Sequence, residues 1–175
     1  MVRKILRSGN PLLRKASKPV KKIDKKVLSL IADLKDTLAI QKDPEGVGLA
    51  ACQIGINLRI FVMVKDKKIV PVVNPEIVNL SKKTVKVKTK RGDILEGCLS
   101  LPNYYAPLTR SGSIKVKYLS PEGKQVVEVF DGFQAQIVQH EIDHLNGKMF
   151  LDRLLEQKKP LYQLENGEWV EVELI

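Results

Sequence analysis

The sequence predicts an α+β fold in which a mostly antiparallel β-sheet packs around one functional helix, with a helix near the N-terminus and a strand or hairpin at the C-terminus. Short runs of alternating or β-branched residues, separated by turn residues, fill the middle of the chain. Two segments with apolar residues every three or four positions flank this region. With 175 residues, no internal repeat and no linker, the chain is expected to form a single domain over residues 1–175.

Two helical segments are expected before the strands. Asn10-Pro11 is typical of a helix start, so a short helical turn is expected near residues 10–15. A longer helix is predicted from about Asp24, its N-cap, to Ala39. Its apolar residues recur at helical spacing: Val27, Leu30, Ile31, Leu34 and Leu38. Pro44 and Gly46 end this region.

The strands follow in the middle of the chain. Pro71 and Pro75 suggest that two of them are short, because proline lacks the N–H of a ladder hydrogen bond. A third, Thr84–Thr89, alternates valine with lysine and is expected to have one exposed face. A turn at 120–123 separates the last two. The predicted strands are Leu58–Val64, Ile69–Val73, Ile77–Leu80, Thr84–Thr89, Ser113–Tyr118 and Lys124–Phe130.

The apolar period then changes from two to that of a helix. Residues 132–146 are predicted to form this second helix, which Asn146-Gly147 closes as a C-cap. In the tail, Asn166-Gly167 lies between two β-rich runs, and residues 162–174 are therefore expected to form a small hairpin.

The composition limits the classes of partner that the protein is expected to bind. The net charge is +10, much of it lysine distributed along the chain, and only 5% of residues are aromatic. A large anionic partner is credible, but sequence-specific nucleic-acid recognition is not indicated. No apolar run approaches the roughly 18–20 residues of a membrane span, and the N-terminus lacks a secretory apolar core. The expectation is a cytoplasmic protein with no membrane partner.

The strongest motif is H-E-x-x-H at residues 140–144, inside the second predicted helix. Residues four apart on a helix differ by about 40° in direction, so His140 and His144 can bind one metal ion together. Glu141 is close enough to act as a base toward a water on that ion without being a ligand. The alternative is a polar helix face whose histidines contact only water.

A metal centre of this type needs a third protein ligand. No histidine follows His144, and downstream carboxylates are poor matches to known contexts. Cys98, in Glu96–Ser100, is the best candidate, because a neighbouring glycine permits an irregular turn that presents a thiolate. By itself, Cys98 would more often be a small buried apolar residue.

A third segment, Gly46–Gln53, combines two glycines with small residues and one amide. It lacks the further residues of a phosphate-binding loop. Close approach of the backbone to a ligand, with Gln53 held beside it, is one interpretation. A tightly packed turn is the other.

The three segments together, in this order, resemble peptide deformylase. That family shows G-φ-G-φ-A-A-x-Q, E-G-C-L-S and Q-H-E-x-D-H segments, which correspond here to Gly46–Gln53, Glu96–Ser100 and Gln139–His144. The similarity extends from about Ile5 to about Leu155. One H-E-x-x-H is moderately specific, whereas all three segments together are very specific.

The resemblance implies hydrolysis of the formyl group from N-formylmethionyl nascent peptides, with release of formate. It implies Cys98, His140 and His144 as metal ligands and Glu141 as the general base. Gln53 and the backbone N–H of Leu99 would hold the developing oxyanion. Fe²⁺ is the native metal expected from the family, and Zn²⁺ or Ni²⁺ can occupy the same ligands.

The residues around the motifs suggest a substrate pocket. Four apolar side chains could form a slot for methionine, although all of them could instead be core: Val47, Ile94, Phe133 and Ile137. Three glycines could offer backbone groups to an extended peptide: Gly46, Gly48 and Gly97. Asp143 could hydrogen bond to a group behind the ligands or be an ordinary helix-surface aspartate. The resemblance implies that Arg110 corresponds to a family arginine after the cysteine segment and pairs with Glu96.

Two departures from the family bear on partners. The residues after Cys98 read Leu99-Ser100-Leu101-Pro102, where many members have V-P-G, and this affects expectations for the groove rather than for the metal. The tail is acidic and strand-like, where many bacterial members have a basic helix that docks on the ribosome. Ribosome association is therefore expected only through electrostatic attraction, and a monomer is expected.

Two other functions remain open at this level. A zinc peptidase on another scaffold would explain H-E-x-x-H but not the other two segments. A basic RNA-binding domain with a structural zinc would need a fourth protein ligand, for which Cys52 is the soft candidate.

Overall fold

The structure is a computed structural model that describes residues 1–42, 45–85, 88–89, 92–93 and 95–173. The predicted pocket residue Ile94 and part of the predicted strand Thr84–Thr89 lie outside these residues. Among the described residues, none of the helices is long and apolar enough to cross a membrane.

The two predicted helices are confirmed. Helix α1 spans Lys25–Ala39, and the Asp24 carboxylate caps it by accepting a hydrogen bond from the Val27 N–H at 3.0 Å. Helix α2 spans Gly132–Leu145. Two 3₁₀ helices, Pro11–Arg14 and Ala51–Ile54, precede the strands or lie among them.

A third helix, α3, was not predicted. It spans Phe150–Gln157, which is too short for the apolar period to stand out from the sequence. Its start is fixed by Asp152, whose carboxylate accepts a hydrogen bond from the Met149 N–H at 2.7 Å. Phe150 and Leu154 are its buried residues, and they pack against Cys98.

Thirteen strands are described: β1 (Gly48–Ala50), β2 (Ile60–Lys65), β3 (Lys68–Leu80), β4 (Thr84–Val85), β5 (Lys88–Thr89), β6 (Gly92–Asp93), β7 (Glu96–Cys98), β8 (Leu101–Ala106), β9 (Arg110–Ser111), β10 (Ser113–Leu119), β11 (Gln125–Asp131), β12 (Leu161–Glu165) and β13 (Glu168–Val172). The main sheet has the order β1-β2-β3-β10-β11, and a second sheet has the order β13-β12-β8-β7. The pairing between neighbouring strands is antiparallel throughout both sheets, as the sequence predicts.

The two short strands predicted around the prolines are wrong, because β3 is one continuous strand of 13 residues. Its first half pairs with β2 and its second half with β10. Pro71 pairs only with β2, and no described ladder pair uses Pro75, so neither proline removes a needed hydrogen bond. The change of partner occurs at Asn74, which has φ +50° and hydrogen bonds to the backbone of Val20.

The C-terminal hairpin is confirmed. Strands β12 and β13 are joined by Asn166 and Gly167, both with positive φ. The hairpin extends the second sheet, because Tyr162 of β12 pairs with Tyr105 of β8.

Alternate residues of β2 bury on opposite faces of the main sheet. Phe61 and Met63 belong to a cluster with residues of α2, whereas Ile60 and Val62 belong to a cluster with residues of α1. The sheet is therefore covered by α1 on one face and by α2 on the other. Packing on the main sheet therefore fixes the position of α2, the helix that carries the H-E-x-x-H motif.

Candidate metal centre

Helix α2 places its two histidines side by side. The Nε2 atoms of His140 and His144 are 3.1 Å apart, and both residues are buried. Their spacing of four residues puts both rings on one side of the helix, as expected. Two imidazole nitrogens in this arrangement are better placed to bind one cation together than to hydrogen bond to each other.

Cys98 completes the group from the second sheet. The register between β7 and β8 shifts between Gly97 and Cys98, and this irregularity brings the Cys98 Sγ to 3.2 Å from His144 Nε2. The ligand atoms of Cys98, His140 and His144 all lie within 4.8 Å of one another. Ligands at about 2.0–2.3 Å from one tetrahedral ion are separated by roughly 3.3–3.5 Å, so these residues fit such an ion.

The electrostatics of the group favour the metal-binding form of the thiol. Burial raises the pKa of Cys98, but the nearby His144 and His140 imidazoles outweigh it and hold the pKa well below its ordinary value. The thiolate is the form of cysteine that ligates a metal.

Behind His140 lies a buried ion-pair network. The His140 Nδ1–H donates to Glu96 Oε1 at 2.7 Å, which directs Nε2 toward Cys98 and His144. Arg110 donates two hydrogen bonds to Glu96, at 2.6 and 3.0 Å, and a third to Asp143 at 2.6 Å. Burial raises the pKa of Glu96, but Arg110 and His140 outweigh it and lower it to about 2.

The pairing of Arg110 with Glu96 confirms the sequence expectation, and Asp143 does bond a group behind the ligands. The role of Glu96 as the partner of His140 was not predicted. Its only signal in the sequence was its place two residues before Cys98.

Glu141 lines the same pocket as Cys98 and His140. It is 3% exposed, and its Oε2 has no hydrogen-bond partner within the described part of the chain. Burial raises its pKa to about 7. A buried carboxylate with a free oxygen and a raised pKa is able to accept and release a proton near neutral pH.

Gln53 reaches the centre from the second 3₁₀ helix. Its Oε1 accepts a hydrogen bond from the Ala50 N–H at 2.8 Å, which orients the amide. Its Nε2 donates to Ser100 Oγ at 3.1 Å and lies 3.6 Å from Cys98 Sγ. The contact with Ser100 was missed by sequence reasoning, although Ser100 belongs to the Glu96–Ser100 segment.

A pocket of about 240 Å³ opens onto His140 and Glu141. Of the residues proposed from the sequence for substrate or catalysis, the following line it: Val47, Gly48, Gln53, Gly97, Leu99, Phe133 and Ile137. Gly46 is not among the lining residues: a side chain there would meet Leu38 and Gln41, so this glycine packs against α1 and its end. Sequence reasoning missed four further lining residues: Glu45, Leu95, Tyr105 and Gln136.

Cys52 does not join the centre. The group that could hold a metal consists, among the described residues, of Cys98, His140 and His144. The Cys52 thiol instead donates to the backbone carbonyl of His144 at 3.6 Å, and burial raises its pKa to about 12. Three protein ligands leave a position open for a reactant, as in catalytic rather than structural zinc sites.

Comparison with known proteins agrees with this geometry. The family described as polypeptide deformylase matches residues 2–160. A peptide deformylase from Pseudothermotoga lettingae is 43% identical over 153 residues, which is 87% of this chain and 82% of the relative. One from Thermotoga maritima is 40% identical and is covered to 87%.

Solved structures give the same result. The crystal structure of peptide deformylase from Thermotoga maritima superposes with a TM-score of 0.78 at 40% identity, covering 87% of this chain and 97% of that one. A class I type b peptide deformylase from Acinetobacter baumannii, solved with Met-Ala-Ser bound, has a TM-score of 0.77 at 32% identity, covering 87% of this chain and 98% of the other.

Proposed function

This chain belongs to the polypeptide deformylase family, whose members are hydrolases that remove the formyl group from nascent peptides, and we propose that the reaction takes place at Cys98, His140 and His144. The observation that carries the proposal is the convergence of these three buried ligand atoms beside Glu141. The alternative of a closed, structural zinc site finds no fourth ligand among the described residues, because Cys52 bonds a backbone carbonyl instead.

A divalent metal held by these residues would act as a Lewis acid on the formyl carbonyl and would lower the pKa of a bound water toward about 7. We propose Fe²⁺ as the native ion, with Zn²⁺ or Ni²⁺ able to replace it. Imidazole and thiolate bind all three ions, so the donor set supports a metal cofactor without selecting one.

Glu141 acts as the general base in this proposal. Its free carboxylate oxygen accepts the proton of the attacking water and then delivers it to the amine that leaves with the peptide. Its raised pKa, about 7, suits both halves of this transfer, because a group that gives and takes a proton works best near the operating pH.

Gln53 and the backbone N–H of Leu99 stabilise the oxyanion. Both residues line the pocket, and the Gln53 amide is held in orientation by Ala50 before any substrate arrives. One preorganised donor of this kind is typically worth about 3–4 kcal/mol of activation free energy.

The methionine side chain of the substrate occupies the apolar part of the pocket. Val47, Phe133 and Ile137 supply apolar surface, while Gly48 and Gly97 offer backbone groups to an extended peptide. Gly97 has no side chain because a Cβ there would lie 2.6 Å from the Tyr105 ring. The Acinetobacter baumannii relative with Met-Ala-Ser bound supports a peptide ligand of this length.

We also propose that the chain works in the cytoplasm as a monomer and as one catalytic domain, and that its net charge of +10 attracts it to the ribosome. Neither a membrane nor a specific nucleic-acid sequence is part of this proposal.

The test is formate release from formyl-Met-Ala-Ser by anaerobically purified protein, with the metal counted in the same sample. Turnover with about one metal per chain is the expected result. Acetyl-Met-Ala-Ser is the control for general amidase activity. A longer peptide with a blocked N-terminus is the control for cleavage of internal peptide bonds. Cleavage of internal peptide bonds, or full metal occupancy without formate release, would overturn the proposal.

A further inference from the structure

The first 26 residues carry a net charge of +9, which is most of the net charge of the chain. Ten Lys and Arg residues lie there with one acidic residue, Asp24, whereas residues 27–175 contain 20 basic and 19 acidic residues. The lysines themselves are distributed along the chain, as described above, and 16 of the 23 lie after residue 26. Acidic residues balance these cations in the sum, although the run 82–91 contains six Lys and Arg residues and no acidic residue. All ten cationic side chains of the N-terminal segment are exposed.

The fold brings both ends of this segment to one groove. Arg3 is held at 2.6 Å from Asp33 of α1, and Lys25 and Lys26 form the first turn of the same helix. Arg3, Lys25 and Lys26 line one groove together. Lys18 reaches its edge, because it forms a β-bridge with Leu58, which also lines the groove. We call these cations and their exposed neighbours in the chain the basic face: Arg3, Lys4, Lys18, Lys21, Lys22, Lys25 and Lys26.

Most of these cations have no acidic partner. Within the described part of the chain, Arg3 is the member of the basic face with an ion pair, to Asp33. Arg14, elsewhere in the segment, is neutralised by Asp152 at 2.5 Å and is not part of the face. Unpaired, exposed lysines carry condensed anions that a polyanion can displace, and this displacement favours binding to phosphate chains.

We propose that the basic face binds the phosphate backbone of RNA, independently of base sequence, where the nascent-peptide substrate is presented. This inference rests on the proposed function, because a nascent peptide is carried by a ribosome whose surface is rich in RNA phosphate. The low aromatic content, 5%, provides few side chains for base stacking, so the contact is to phosphates. The C-terminal hairpin carries Glu165, Glu168 and Glu171 and would be repelled by the same surface.

The position of the basic face leaves the pocket accessible. None of the residues that line the pocket belongs to the first 26. The segment is nevertheless joined to the site: the Leu6 N–H donates to the Gln53 carbonyl at 2.7 Å, and the Ser8 N–H to the Ser100 carbonyl at 2.9 Å. RNA bound at the face would therefore hold the enzyme in place without covering Glu141 or the metal ligands.

The test compares two triple variants with the same net charge. Lys22→Glu, Lys25→Glu and Lys26→Glu change the basic face, and glutamate in the first turn of α1 is compatible with the helix dipole. Lys68→Glu, Lys115→Glu and Lys124→Glu change exposed lysines outside the segment. Both sets lower the net charge from +10 to +4. The probes are purified ribosomes without a nascent chain, an RNA duplex, and phosphatidylglycerol vesicles.

With metal-loaded protein at about 50–200 mM salt, the variant of the basic face should bind ribosomes and duplex at least about tenfold more weakly than wild type. Its slope of log affinity against log salt should fall by about 2–3, while the control variant stays within about threefold. Equal losses in the two variants would show that only net charge matters and would overturn the proposal. Binding to vesicles but not to RNA would overturn it as well.

Formate release from the soluble peptide formyl-Met-Ala-Ser separates this inference from the proposed function. All three proteins should hydrolyse it equally, because the basic face does not line the pocket. If the wild-type protein released no formate from this peptide, the proposed function would be contradicted. Full activity combined with unchanged RNA binding in the variant of the basic face would count against the present inference alone.

Discussion

Gly48 lies beside the carboxylate of Glu141, which occupies the space that a side chain at position 48 would need. A Cβ at position 48 would come within 2.4 Å of Glu141 Oε1 and 3.0 Å of Ile137 Cγ2. The second glycine of the Gly46–Gln53 segment therefore provides the space into which the proposed base extends, and this explains why a small residue is needed there.

Gly48→Ala should displace the Glu141 carboxylate and lower kcat/KM for formyl-Met-Ala-Ser by about 10–100-fold, since a displacement of about 1 Å is enough for such a loss. Metal content should not change. Gly9→Ala is the matched control, because nothing lies within 4 Å of a Cβ at Gly9. Equal activity of the two variants would mean that the contact with Gly48 does not position Glu141.

Glu141→Gln should retain the fold and the metal but lose about 10²–10⁴ in kcat, because the amide has nearly the same shape and cannot accept the proton. Formate release and metal content are measured on one preparation. Glu165→Gln, on the exposed hairpin, controls for the loss of one negative charge. Full activity of Glu141→Gln would remove Glu141 from the role of base.

The two cysteines should respond differently to substitution. Cys98→Ser replaces the proposed thiolate ligand with a hydroxyl that stays protonated, so the metal content per chain should fall. Cys52→Ala removes a buried thiol that bonds a carbonyl outside the metal group, and the metal content should stay near that of wild type. Loss of metal from the Cys52 variant, with retention in the Cys98 variant, would reverse the ligand assignment.

Arg110→Met should destabilise the protein by about 3–5 kcal/mol, because it leaves the Glu96 and Asp143 carboxylates buried without their shared cation. For a domain of this size the thermal midpoint should drop by roughly 10 °C. Arg153→Met is the control: Arg153 also binds Asp143 but its side chain is 31% exposed, so the loss should be about 1 kcal/mol. Equal shifts of the thermal midpoint in both variants would contradict the larger contribution of Arg110 to stability.

Trp169 of the hairpin packs edge-on against Tyr105, with ring centroids 5.1 Å apart, and Tyr105 lines the pocket. Trp169→Ala should therefore loosen Tyr105 and raise KM for formyl-Met-Ala-Ser about two- to tenfold with little change in kcat. Val170→Ala, on the same strand and also exposed, is the matched control. Identical KM values for the two variants would exclude the hairpin from substrate binding.

The local signals in the sequence were sufficient for the elements that have strong periodicity or caps. Asp24 and the apolar period defined α1, and Asn166-Gly167 defined the hairpin. Helix α3 was missed because eight residues give barely two turns of pattern. The prediction of two short strands in place of β3 was wrong because a proline weakens a sheet only where its missing N–H would face a paired strand. Which strand lies on that side is set by the tertiary fold.

The candidate site was predictable where it uses residue types that are rare in this chain. The chain has two histidines and two cysteines, so the three proposed ligands could be selected from four residues. Partners such as Tyr105 and Ser100 could not be selected, because their contacts arise from strand pairing and from a turn. The position of the positive charge was visible in the sequence, but its convergence on one groove depends on the fold.

Glu96 on β7, Arg110 on β9 and Asp143 on α2 are joined to one another by protein groups alone. The strand and the helix that carry the proposed ligands are therefore held together before an ion binds, unlike the two halves of a zinc finger, whose folding requires the metal. A chelator should consequently yield a folded apoprotein that can be reloaded with Fe²⁺, Zn²⁺ or Ni²⁺. The ion found in the enzyme would then follow the supply of metals around it throughout its lifetime, rather than the ion that was present when the chain folded.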